Sequence, residues 1–103
     1  MEELTNKNFD EIIAKDVYVV DFWAAWCGPC KIQAPILEKM EKDYDSSNVH
    51  FVKVNVDEQP ELATKFHIQS IPTILFFSNG QQVDRVVGVN SEEDLKEIIK
   101  DIC

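Results

Sequence analysis

Positive charge is scarce in this chain. Ten lysines and arginines stand against 19 aspartates and glutamates, a net charge of −9 with histidine neutral. That balance repels phosphate backbones and anionic lipid headgroups, which sets nucleic-acid and membrane-surface functions aside. Glycine and proline are sparse as well, 3 and 4 among 103 residues, which excludes a linker-rich or low-complexity chain. No apolar run approaches the ~18 residues of a membrane-spanning helix. Met1-Glu2-Glu3 offers no basic segment ahead of an apolar stretch, so no secretory leader is visible and a cytoplasmic location is expected. The cysteines number three, which argues against a structural disulfide framework.

What remains is an ordinary globular composition, 45% hydrophobic and 28% charged. A chain of 103 residues can bury one core without staples, and no repeat or change of composition divides it, so residues 1–103 are expected to form a single domain. Asn8 followed by Phe9, Ile12 and Ile13 predicts a short amphipathic helix to about Lys15. Val17 to Trp23 is apolar on both alternations except at Asp21, as befits a central strand covered on both faces. From Pro29 the spacing turns helical through Ile32, Ile36, Leu37 and Met40 to about Tyr44, with Pro35 expected to kink the helix. Val49 to Val56 reads as a strand, Pro60 to Phe66 as a short helix, and Thr73 to Phe77 as a third strand. Asn79-Gly80 then signals a hairpin that returns along Gln82 to Val87. Ser91 with Asp94 marks the start of a last helix whose apolar stripe is Leu95, Ile98, Ile99 and Ile102. The order α β α β α β β α predicts an α/β protein, a mixed sheet with helices on both faces.

The sharpest chemical signal is Cys27 and Cys30, spaced C-x-x-C. Such a pair is either half of a zinc site or a redox dithiol. Structural zinc needs four ligands, and the other candidates, His50, His67 and Cys103, stand alone on different elements. Cys27 follows a strand and opens a helix, where the helix dipole and free N–H groups favour a thiolate. Cys30 falls in the first turn, within reach of a disulfide, and Gly28-Pro29 between them suits a helix start. The redox reading is favoured over zinc.

Trp26-Cys27-Gly28-Pro29-Cys30-Lys31, after a strand ending Asp21-Phe22-Trp23-Ala24, resembles the thioredoxin family. Pro35, Lys53 ahead of Asn55-Val56-Asp57, Ile71-Pro72-Thr73, Asn79-Gly80 and Gly88 follow that family's order and approximate spacing along the whole chain. Ile32-Gln33, the loop His67 to Ser70, and Cys103 depart from it without touching the reacting residues. The resemblance implies the thioredoxin fold and a protein-disulfide reductase that acts as a dithiol electron carrier. It implies that Cys27 is the exposed nucleophile and Cys30 the resolving thiol, with Gly28 and Pro29 tuning the pair. Asp21 would be a buried acid/base that assists Cys30, with Lys53 beside it. Trp26, Ile71, Pro72 and Gly88 would contact substrate, and the Ile71–Pro72 bond would be cis. No cofactor beyond the Cys27–Cys30 disulfide and no metal is implied. The implied partners are thioredoxin reductase as electron donor and disulfide-containing client proteins, with the chain mostly monomeric.

Several residues have plainer readings. Trp23 is expected in the core and Trp26 over the disulfide. His50 and His67 are read as incidental, Glu92 to Asp94 as charge at a helix start, and Cys103 as a small hydrophobe at a fraying end. Two stretches are nearly free of charge: Phe22 to Leu37 carries only Lys31, and Phe66 to Val83 carries none with histidine neutral. Loops within them would make an uncharged rim suited to varied peptide segments. A binding module with dispensable cysteines is the competing class, and Cys27→Ser separates the two.

Overall fold

A computed structural model describes residues 1–103. The elements are β1 (Glu2–Glu3), α1 (Phe9–Ile12), β2 (Val17–Trp23), α2 (Gly28–Asp43), β3 (Val49–Asn55), α3 (Pro60–Lys65), β4 (Thr73–Ser78), β5 (Gln81–Val87) and α4 (Glu92–Ile102). They build one five-stranded sheet in the order β1-β3-β2-β4-β5. β1, β3 and β2 run parallel, and β4 and β5 add antiparallel pairs at the other side.

The two alternations of β2 supply the two cores. Val20 and Phe22 join Val52, Val54, Leu75 and Phe77 beneath α1 and α3, through Phe9, Ile13 and Leu62. Val19 joins Phe51, Ile74 and Phe76 beneath α2 and α4, through Leu37, Met40, Leu95 and Ile99. Asp21 shares the parity of Val19, so it points to the side covered by α2. The sheet register sets Asp21 beside Lys53 on the neighbouring strand.

Local signals act where the residues predict them. Asn79 and Gly80 both take positive φ, 50° and 86°, and close a two-residue hairpin from Ser78 to Gln81, the geometry that follows strand twist. Ser91 caps α4, its side chain accepting the Asp94 N–H at 3.1 Å. α2 continues through Pro35 as one helix to Asp43.

Two expectations need correction. α1 ends at Ile12 rather than near Lys15, because the chain must turn into β2. Asp16 takes φ 74° there, and its N–H and carbonyl bond Asn79 of the hairpin at 3.2 and 3.0 Å. A strand also precedes α1: Glu2 and Glu3 pair with Val52 and Lys53. Glutamates have little strand preference. The fully buried Leu4 beside them, whose N–H donates to the Lys53 carbonyl at 2.8 Å, holds the segment against β3.

Candidate active site

Cys27 is the N-cap of α2, with extended backbone angles. Gly28 and Pro29 form the first helical positions, where proline's missing N–H costs nothing and its φ is preset. The turn brings the two cysteines to a Cα separation of 5.3 Å, and they are joined as a disulfide. The Cys30 N–H donates to Cys27 Sγ at 3.2 Å. A helix start aims its free N–H groups and positive dipole end at that sulfur, which favours a thiolate on reduction.

The expectation of an exposed Cys27 is corrected by its surroundings. Cys27 and Cys30 are only 3% and 4% exposed, packed with Ala24 and flanked by Trp23, Val56 and Ile71. The backbone carbonyl of Ile71 lies 3.8 Å from Cys27 Sγ. The disulfide has no S–H to donate, so this is a contact in the oxidised state. The Ile71–Pro72 peptide bond is cis. The Gly88 N–H donates to the Pro72 carbonyl at 2.8 Å, and Gly88 takes φ 86°, a backbone that side-chain-bearing residues rarely adopt. Ile71, Pro72 and Gly88 therefore do meet beside the dithiol.

Trp26, next to Cys27 in the chain, is 70% exposed. Its indole N–H donates to Asp57 Oδ2 at 2.8 Å, and Asp57 in turn is held by the Asn55 side chain, which accepts its backbone N–H at 2.9 Å. Trp26, Val56, Ile68, Gln69, Ser70 and Ile71 line a groove of about 400 Å³. The two charge-poor stretches thus converge on the dithiol. In the sequence Asp57 stands out only within Asn55-Val56-Asp57; nothing in the spacing links it to Trp26.

Asp21 is 2% exposed, and its Oδ1 is buried without a hydrogen-bond partner. Burial pushes its carboxyl up from 3.8 to about 7, the nearby Lys53 charge pulling it down and Glu3 pushing it further up. A cavity of about 130 Å³ is lined by Asp21, Cys30, Ala34 and Lys53, among others, so the acid and Cys30 share one space. Lys53 sits beside Asp21 in register, yet its ammonium turns to Glu3 at 3.9 Å and over the Trp23 ring at 4.8 Å. Trp23, expected in the core, is half-buried at its edge, with its indole N–H donating to Glu3 Oε2 at 3.0 Å. Glu3 was missed because the strand that carries it was missed.

Other candidates lie elsewhere. His50 faces Asp16 at 3.1 Å and stacks on Tyr18 at 4.7 Å between ring centroids. His67 sits in a turn with φ 55°. Cys103 is free and exposed at the end of α4. No three His, Cys, Asp or Glu side chains are grouped so as to hold a metal ion.

Such an arrangement, a redox dithiol at a helix start beside an apolar groove and a buried acid, is equipped for thiol–disulfide exchange with a polypeptide. Comparison with known proteins agrees. Residues 1–101 match the Thioredoxin family pattern. The chain is 48% identical over 98 residues to a thioredoxin of Staphylococcus saprophyticus, covering 95% of this chain and 93% of that one. It is 48% identical over 97 residues to one of Staphylococcus haemolyticus, covering 94% and 92%. Among solved structures, Plasmodium falciparum thioredoxin superposes with a TM-score of 0.89 at 39% identity, covering all of both chains. Fasciola hepatica thioredoxin gives 0.89 at 39%, covering 98% of each.

Proposed function

The chain belongs to the thioredoxin family, and from that premise we propose how its residues divide the work of a protein-disulfide reductase. It is a protein thiol–disulfide oxidoreductase acting through the Cys27–Cys30 pair. The Cys27 thiolate attacks one sulfur of a client disulfide; the client's other sulfur leaves as a thiolate and a mixed disulfide remains. Cys30 then loses its proton and attacks Cys27 Sγ, which releases the second client thiolate and closes the Cys27–Cys30 disulfide. Two electrons pass to the client, whose thiolates take up two protons.

Asp21 receives the proton from Cys30 during the second step, through water in the cavity they share. What supports this is the common cavity and a carboxyl raised to about 7, near the pH at which proton transfer works best. Lys53 limits that rise, and Gly28 and Pro29 set the helix start that tunes the pair. Trp26, Ile71, Pro72 and Gly88 form the rim that meets the client. An extended client segment would lie along the Ile71 backbone in strand-like fashion.

The disulfide itself is the whole redox group in this reading, with no added cofactor. The electron donor is a thioredoxin reductase, the clients are disulfide-containing proteins, and the chain works as a monomer of one domain in the cytoplasm, where reduced thiols are maintained. Nucleic acid and membranes are not partners; the charge of −9 disfavours both.

The observation that carries the proposal is the dithiol at the start of α2 against the Ile71 carbonyl. Its test is trapping. Cys30→Ser is expected to accumulate a mixed disulfide between Cys27 and client, visible on a non-reducing gel, while Cys27→Ser traps nothing comparable. Equal trapping by both variants would overturn the assignment of roles.

A further inference from the structure

Gln33 occupies a core position on α2, one of the buried stripe Cys30, Gln33, Leu37 and Met40. An apolar residue is the default at such a position, yet Gln33 is an amide at 0% exposure. A primary amide removed from water needs partners for its oxygen and its N–H groups. Gln33 finds both on one residue. Its Oε1 accepts the Asn90 backbone N–H at 2.8 Å, and its Nε2 donates to the Asn90 carbonyl at 3.1 Å. Only one orientation of the carboxamide satisfies both bonds, since the flipped one sets donor against donor and acceptor against acceptor.

Asn90 belongs to the loop between β5 and α4, and the bonding continues from there. The Asn90 side-chain amide donates to the Gly88 carbonyl at 3.1 Å. The Gly88 N–H donates to the Pro72 carbonyl at 2.8 Å, and the carbonyl of the preceding Ile71 lies against Cys27 Sγ. One connected run of hydrogen bonds and contacts, through the side chains of Gln33 and Asn90 and the backbone of Gly88 and Pro72, thus leads from the helix that carries the dithiol, through the Gly88–Asn90 loop, back to the dithiol from its other side. A leucine or methionine at position 33 would fill the core but leave the Asn90 N–H and carbonyl without these partners.

We propose that Gln33 is a positioning residue for client docking: its carboxamide holds the Gly88–Asn90 loop in place beside Ile71-Pro72, so that the rim around the dithiol is formed before a client arrives. The inference rests on the reductase reading above and adds to it the residue that preorganises the rim. A preformed loop spares the cost of ordering it on binding. That saving concerns polypeptide clients, which span the rim, and not small disulfides, which need only the sulfur atoms.

The test compares wild type with Gln33→Met, which keeps the length of the side chain and loses both hydrogen-bonding atoms. Steady-state kinetics are measured with a disulfide-bonded protein and with cystine, alongside hydrogen exchange at the Asn90 amide. For the protein substrate KM is expected to rise about fivefold to tenfold, the scale of one or two ordinary hydrogen bonds, at unchanged kcat. The rate with cystine is expected to stay the same, and the Asn90 amide to exchange faster. An unchanged KM, or an equal loss on both substrates, would overturn the proposal. Asn90→Ala, which removes only the bond to the Gly88 carbonyl, is expected to raise KM for the protein selectively but less. Should Gln33→Met fail to fold, that variant decides alone, a selective rise supporting the proposal and no rise overturning it. A wild-type chain that leaves protein disulfides intact would defeat the reductase reading, and this proposal with it.

Discussion

At the scale of single residues, Asp21 carries the largest electrostatic consequence. Its carboxyl is buried, one oxygen has no partner, and its titration moves from 3.8 to about 7. The raised value means the folded protein holds a proton that the unfolded chain has already released. Between about pH 4 and pH 7 stability therefore falls as pH rises, and above pH 7 the loss is complete. At 1.36 kcal/mol per pH unit the gap corresponds to roughly 4 kcal/mol as an upper bound. Asp21→Asn keeps the shape and removes the charge. Urea unfolding of the oxidised protein at pH 5 and pH 8 is expected to show the variant more stable at pH 8, with most of the wild type's pH dependence gone. Disulfide exchange by the variant is expected to be slower, because Cys30 loses its proton acceptor. A variant less stable than wild type at pH 8, or one with an unchanged exchange rate, would contradict this role for Asp21.

At the scale of elements, the ends of helices matter as much as their faces. α4 starts with three acidic residues, Glu92, Glu93 and Asp94, on a Ser91 cap, and both the cap bond and the negative charges suit the positive end of a helix. Ser91→Ala is expected to cost about 1 kcal/mol, the usual value of an N-cap, measured as a lower urea midpoint with an unchanged slope. No change in midpoint would mean the cap bond contributes nothing. This start was readable from Ser91 and Asp94 alone, just as the central place of β2 was readable from its two apolar alternations and the hairpin from Asn79-Gly80. The parts that were not readable depend on distant partners. β1 is two glutamates, given strand geometry by the edge of β3 and by Leu4. The end of α1 is set by bonds between Asp16 and Asn79, 63 residues apart. Within the site, Cys27 and Cys30 announce themselves by spacing, while Asp57 under Trp26, Glu3 beside Lys53 and Asn90 against Gln33 come together only when the sheet is assembled. Lys53 shows the difference well: its nearness to Asp21 followed from the resemblance, but its choice of Glu3 and Trp23 required the missed strand.

At the scale of the whole molecule, charge and core divide the labour. Nineteen acids on a small chain disfavour contact with polyanions, while the two charge-poor stretches meet on either side of one disulfide. The parallel strands bring Asp21 and Lys53 under α2, and the antiparallel pair β4–β5 carries the Thr73 and Val87 ends, with their adjoining loops, to the same edge of the dithiol. The dithiol and its surroundings therefore concentrate at one end of the sheet, and Cys103, free and exposed at the end of α4, is expected to take no part in the exchange. The central claim is that this end of the molecule transfers one electron pair per Cys27–Cys30 dithiol to a client. The most direct measurement is a single turnover, in which reduced protein is mixed with an excess of a disulfide-bonded client and the new client thiols are counted. Wild type and Cys103→Ser are expected to release two client thiols per chain and Cys27→Ser none; thiol release by Cys27→Ser, or its loss in Cys103→Ser, would contradict the account.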